Sequence, residues 1–244
     1  MSLFLKYLFL FFIGSTLGWI VELFFRRIAH KKWVNPGFLI GPYLPIYGFG
    51  LCFLTLIYTL FQGYSWWLNI ILMGVTMTIL ELIGGLCFFK TGVKLWDYSN
   101  RPLNYKGIIC PTFSAIWTIV GALYYFFLAS PVEKMLNWFA NNLSFSFVLG
   151  VFFGLILVDY IKSTQLFFKI KKYAKDNDLE IKYEELKLRI KEHKEKRKEK
   201  YSFFFSFNNI KTWQEYLEEY KKDKNKKKIK IFSSIRKKVD KNEK

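Results

Sequence analysis

Apolar residues run through the first two-thirds of the chain in blocks too long for the helices of a soluble core. Five stretches reach the roughly 20 residues that cross a bilayer: Leu3–Phe25, Phe38–Phe61, Trp66–Phe89, Gly107–Leu128 and Leu143–Ile161. The first follows Lys6 as a signal peptide would. It is too long for one, however, ends in Arg26-Arg27 and offers no small-x-small cleavage site, so it predicts a retained helix. Between the stretches the basic residues alternate. The first loop holds Arg26, Arg27, Lys31 and Lys32, and the third holds Lys90, Lys94, Arg101 and Lys106. The second, Gln62–Ser65, has none and the fourth only Lys134. The positive-inside rule then places the N-terminus outside and the C-terminus in the cytoplasm, in a multi-pass protein of the cell (inner, cytoplasmic) membrane. The predicted fold class is an all-α integral membrane protein: a five-helix domain over 1–161 and a basic cytoplasmic tail over 162–244.

Charge sharpens that division. The 244 residues are 52% hydrophobic and 20% aromatic, yet the formal net charge is +18. Up to Ile161 there are ten Lys/Arg and five Asp/Glu; from Lys162 onward there are 27 and 14. Such a chain is neither a plain soluble enzyme, nor disordered throughout, nor a secreted disulfide scaffold. Cys52, Cys87 and Cys110 are widely spaced within or beside apolar runs and suggest neither a disulfide framework nor a metal site. In the tail, Lys162–Lys200 is charge-rich and helix-prone, with Ile181, Leu186, Leu188 and Ile190 as sparse apolar positions. A break follows at Tyr201–Ile210, then a short helix over Lys211–Lys222 and a Lys-rich, disordered end over Lys224–Lys244. The tail reads either as a solvated helix that fixes topology or as a segment lying on anionic lipid. Nucleic acid is not an expected partner, although such a charge run has the means to bind phosphates.

The first two hairpins share a pattern. Glu22, Asn35 and Pro42 in one match Glu81, Asn104 and Pro111 in the other, with Asn and Pro seven residues apart in both. Gly37 and Gly107 follow the asparagines, and Tyr47 and Trp117 lie past the prolines. Both hairpins start on the same side, so the pattern suggests a parallel repeat of the kind that builds some transporters around a shared site.

Glu81 is the most informative position. No basic residue lies within four positions of it in Trp66–Phe89, and an unpaired carboxylate at that depth faces a bundle interior, a cavity or a partner. Gly74, Gly84 and Gly85 share its side of the helix and admit a close neighbour. Desolvation disfavours the charged form, which suits either a proton- or cation-exchanging group or a protonated packing residue. Glu22 has Arg26 at i+4 to pair with and continues a face begun by Gly14 and Gly18, so it points at another helix. Gly150 and Gly154 repeat the GxxxG spacing, and homodimerisation through these glycine faces is expected.

Two loops add polar candidates. Asn35–Gly50 (NPGFLIGPYLPIYGFG) contains Pro36, Pro42 and Pro45 among four glycines. Backbone so interrupted belongs in a membrane only when buried or lining a cavity, and its free N–H groups would suit an anion or substrate. Leu95–Gly107 (LWDYSNRPLNYKG) brings Trp96, Asp97, Arg101 and Asn104 together, with Asp97 and Arg101 spaced to pair. Its aromatics suit either interface anchoring or a binding lip.

No GxxxxGK[ST], HExxH or GxSxG occurs, and the only histidines are His30 and His193. The chain therefore has no ATPase of its own, and His-based or metal catalysis is not expected. No cofactor is expected.

GWIVE (Gly18–Glu22), the Asn35–Gly50 segment, Glu81 within its span and KLWDYSNRPLNYKGIICPTFS (Lys94–Ser114) resemble one known family. These are the bacterial membrane proteins catalogued as Putative ABC-transporter type IV, or CmpB-like permeases. The resemblance covers about Leu3 to Ile161 and leaves out the tail. It implies a multi-span permease working with a separate ATPase subunit, and carries no substrate with it. The expected site lies between the two hairpins, open toward the cytoplasm. Glu22, Asn35, Tyr43, Tyr47, Glu81, Trp96, Asp97, Arg101 and Asn104 are its substrate- or proton-binding candidates. The competing readings are a small intramembrane enzyme acting on a lipid or prenyl-linked substrate through buried carboxylates, and a scaffold that uses the tail.

Overall fold

The computed structural model describes residues 3–89, 91–142, 144–196 and 214–224. The break predicted at Tyr201–Ile210 and the Lys-rich end beyond Lys224 lie outside these residues. The helices are α1 (Leu3–His30), α2 (Pro45–Leu60), α3 (Trp66–Phe89), α4 (Pro111–Leu123), α5 (Ala129–Asn141), α6 (Phe145–Asp176), α7 (Tyr183–Lys196) and α8 (214–224). Two short strands, β1 (Val93–Lys94) and β2 (Ile181–Lys182), pair in parallel.

Among the described residues four apolar helical runs are long enough to cross a membrane: α1, α3, Pro111–Phe139 and α6. The third joins α4 to α5 through a π-helical turn, Tyr124–Leu128. Such a turn inserts one extra residue and re-aims side chains locally, and here the Tyr124 hydroxyl stands 2.8 Å from that of Thr55 on α2.

The expected second span, Phe38–Phe61, is a full-length helix only in the sequence pattern. Helix α2 starts at Pro45 and has 16 residues, about 24 Å at 1.5 Å per residue. The prolines are the cause. Pro45 occupies the first helical position behind an extended Leu44, while Pro36 and Pro42 keep the preceding chain out of a helix. Residues 31–44 instead fold back along α1, where the Leu44 amide donates to the Ser15 carbonyl (2.9 Å). Val34, Asn35, Leu39, Tyr43 and Leu44 are all buried, so this irregular backbone is enclosed in protein.

Hairpins α1–α2 and α3–α4 make matching crossings. A Cβ on Gly48 would lie 2.2 Å from the Ser15 hydroxyl, and one on Gly74 2.2 Å from that of Thr118. One turn away, a Cβ on Gly14 would meet Leu51 Cβ at 2.9 Å, and one on Gly121 would meet Met73 Cβ at 2.8 Å. In each case the small residue changes helix between the hairpins while the pair stays at the same level. Gly37 and Gly107 also share a left-handed backbone, with φ of 75° and 69°. The prolines do not correspond in the same way, because α4 begins at Pro111 whereas α2 begins at Pro45 and not at Pro42.

At the basic end of the bundle α6 runs through Lys162 unbroken to Asp176. Its last turns pack with β1, β2, α7 and α8 around Val93, Ile170, Ile181, Leu186, Ile190 and Leu217. The sparse apolar positions of the basic segment are thus its core, except half-buried Leu188. Gly14 and Gly18 are taken up inside the chain against α2 and are unavailable to a second copy, whereas a Cβ on Gly150 or Gly154 would meet nothing within 4 Å.

Gly74→Val therefore forces α4 away and is expected to lower stability by about 1–3 kcal/mol. Gly150→Val leaves the monomer unchanged; thermal denaturation of both variants in detergent checks the contrast.

Candidate functional site

A half-buried carboxylate, Glu22, and a buried one, Glu81, lie near where the hairpins touch. On α1, Glu22 accepts a hydrogen bond from Tyr47 Oη on α2 (2.9 Å) and pairs with Arg26 Nε one turn along (3.1 Å). On α3, Glu81 is 4% exposed and accepts from Trp117 Nε1 on α4 (3.1 Å) and from Tyr98 Oη in the third loop (2.9 Å). Tyr47 and Trp117 meet edge to face, with ring centroids 6.2 Å apart. Each glutamate is thus held by the aromatic side chain of its own hairpin's second helix, and the two aromatics join the hairpins. Stacking on Phe113 at 4.2 Å fixes the Tyr98 ring. Burial, reinforced by the Glu81 carboxylate, raises the Tyr98 pKa well above the ordinary phenol value, so Tyr98 is a donor here. Glu81 receives only neutral donors, and no Lys or Arg pairs with it among the described residues. Glu22 differs, since its charge is balanced by Arg26, which also contacts Glu184 on α7.

A second constellation governs the re-entrant segment 31–44. Asp159, midway along α6, accepts the Ile40 amide at 3.0 Å, the Gly41 amide at 2.8 Å, the Tyr43 hydroxyl at 2.6 Å and the Ser163 hydroxyl at 2.9 Å. The backbone N–H groups expected to be free for an anion or substrate are therefore filled by the chain's own carboxylate. Asn35 belongs to the same segment: its Oδ1 accepts from Trp19 Nε1 (2.7 Å) and its Nδ2 donates to the Ile40 carbonyl (2.5 Å). From below, Lys187 on α7 donates to the carbonyls of Asn35 (3.1 Å) and Gly37 (2.8 Å). Burial and the nearby Arg26 charge, opposed by Glu184 and Asp159, bring the Lys187 pKa down to about 7.

The candidates in the third loop serve the loop itself. Trp96 Nε1 donates to the Ile108 carbonyl (2.9 Å), and Asn104 closes a turn by accepting the Gly107 amide (2.9 Å). Asp97 does not pair with Arg101. It bonds Lys182 of β2 at 2.6 Å and lies 3.5 Å from Lys94, because strand pairing brings the tail beside it. Burial opposes its charge, but Lys182, Ser99 and Lys94 outweigh burial and hold the carboxyl well below its usual range. Arg101 is exposed at the loop tip.

Of the nine candidates, Glu22, Tyr47 and Glu81 come together at the hairpin junction, joined by Tyr98 and Trp117. Asn35 and Tyr43 gather instead around Asp159 and Lys187, and Trp96, Asp97, Arg101 and Asn104 form no common site with them. Asp159 was readable only as the one acid inside Leu143–Ile161, since Lys162 at i+3 offered it a local partner that Glu81 lacks. Lys187 was hidden among many lysines.

Asp159→Ala removes the acceptor for two amides and two buried hydroxyls, each such loss costing about 1–3 kcal/mol. A marked fall in thermal stability in detergent is expected, with increased proteolysis at 35–44. For Lys187 the bound pKa lies below the ordinary lysine value. The undocked state therefore holds more protons between about pH 7 and pH 10, and docking of α7 strengthens as pH rises through that window. Spin-label distances between α7 and α1 should shorten and narrow from pH 7 to pH 9, and Lys187→Met should abolish the change.

Among proteins already grouped by sequence, the family described as Putative ABC-transporter type IV matches residues 9–164. No curated protein and no solved structure matches the chain. With well over half its length covered by that match, the chain belongs to the Putative ABC-transporter type IV family.

Proposed function

We propose that this family member is the membrane-embedded subunit of a transport complex, with its working site at the junction of hairpins α1–α2 and α3–α4. The observation carrying this reading is Glu81: a buried carboxylate held by Trp117 and Tyr98 without a cationic partner among the described residues. Such a group binds a proton or a cation when the site is closed and releases it when water enters. Glu22, already neutralised by Arg26, is its counterpart in the first hairpin and transmits movement to the basic end through Arg26 and Glu184.

The matched crossings Ser15/Gly48 with Gly74/Thr118, and Gly14/Leu51 with Met73/Gly121, support a parallel repeat around this junction. The basic loops support an N-terminus outside and a basic end in the cytoplasm. There the folded segment from Lys162 onward serves as a cap, and an ATPase subunit supplies the energy that this chain has no motif to provide.

Two measurements test the reading. Native mass spectrometry of the complex extracted from its host membrane should reveal a second subunit with a nucleotide-binding motif; a chain that appears only alone or with itself refutes the ATPase-coupled form. Infrared spectroscopy of the reconstituted protein should show a protonated-carboxyl band that titrates with pH and disappears in Glu81→Gln. Persistence of the whole band in that variant refutes the role given to Glu81.

A further inference from the structure

The third loop does not hang free below the bundle. Trp96 lies 3.5 Å from where a Cβ of Gly84 would stand, and Ile108 packs directly on Gly85, so the loop lies against the last two turns of α3. A small recess of about 20 Å³ lies between loop and helix, lined by Phe88, Phe89, Lys94, Trp96, Lys106 and Ile108. On the neighbouring face of α3, Ile79, Ile83, Leu86 and Phe89 form an exposed apolar stripe at helical spacing that ends at the recess.

At that end stands a cation. The Lys106 ammonium lies 5.0 Å from the Phe89 ring centroid and 5.1 Å from that of Tyr105. Lys94 is balanced by Glu180 and Asp97, whereas no carboxylate pairs with Lys106 among the described residues. The backbone here is also unusual. Leu103 and Lys106 are both left-handed at φ 53°, a conformation disfavoured for such side chains, and Leu103 is 87% exposed. A large apolar side chain presented to water on a strained turn has no solvation gain, but at the level of a membrane interface it has one.

We propose that this recess is a binding site for an anionic phospholipid, with the phosphate on Lys106 and an acyl chain along Ile79, Ile83, Leu86 and Phe89. Leu103 and Tyr105 anchor the loop tip in the headgroup layer beside it. An apolar track ending in an unpaired ammonium over aromatic rings matches an amphiphile with a negative head, and the excess positive charge disfavours a zwitterionic one.

The test is native mass spectrometry of the full chain in detergent, titrated separately with dioleoyl phosphatidylglycerol and dioleoyl phosphatidylcholine. Phosphatidylglycerol should bind more tightly, Lys106→Glu should weaken it about tenfold, and Lys106→Arg and the distant Lys134→Glu should leave it unchanged. Leu86→Trp, which obstructs the stripe without altering charge, should also weaken it, and monodisperse elution of each variant shows that the fold is retained. The proposal is overturned if both lipids bind wild type equally, if Lys106→Glu binds phosphatidylglycerol like wild type, or if millimolar inorganic phosphate displaces the lipid.

Discussion

The structure depends on how a stretch of non-helical backbone is satisfied while enclosed in protein. Residues 31–44 turn back along α1 instead of continuing into a helix, so the regular backbone pairing of a helix is lost to them. Asp159 supplies acceptors from α6 and the Ser15 carbonyl another from α1, while Asn35 Nδ2 from within the segment and Lys187 from α7 supply donors. Removing water leaves no substitute for any of these partners. The third loop follows the same logic with a different solution: Tyr98 reaches inward to Glu81, and Trp96 and Asn104 satisfy the loop's own backbone.

This arrangement couples parts of the chain that are far apart in sequence. The re-entrant segment leads directly into Tyr47, which holds Glu22. The same segment is gripped by Asp159 and supported by Lys187. Glu22 in turn pairs with Arg26, which reaches Glu184 on the helix that carries Lys187. A displacement of α7 therefore acts on Glu22 along two routes, through Arg26 and through the backbone of residues 35–41. Glu81 stands outside both routes and is linked to them through the Tyr47–Trp117 contact. That separation suits a junction in which one carboxylate is tied to the cap and the other is left to exchange its partner.

The α7–α8 cap also changes how a basic segment should be understood. Its charge is on the surface, but its sparse apolar residues converge with Val93 and the end of α6. Many of its lysines and glutamates bond residues of the first and third loops, including Lys187, Lys191, Glu184 and Lys182. The charged face that looks solvated in isolation is an interface with the membrane domain.

Long apolar runs, basic loops and an acid stranded in a span are local properties, so the sequence alone determined the helical membrane class, the burial of Glu81, the Glu22–Arg26 pair and the family. The matching positions of Tyr47 and Trp117 past their prolines were also visible, but that the two rings meet was decided by packing. Three features were not readable in this way. The second span fell short because three prolines outweighed an apolar run whose hydropathy alone looked sufficient. Asp97 took Lys182 over Arg101 because a two-residue strand pairing, unreadable from so few residues, placed the tail beside it. Lys187 became a buried donor because α7 docked beneath the Asn35–Gly37 turn. In the last two cases the deciding partner lay scores of residues away, and only the packed chain could choose it.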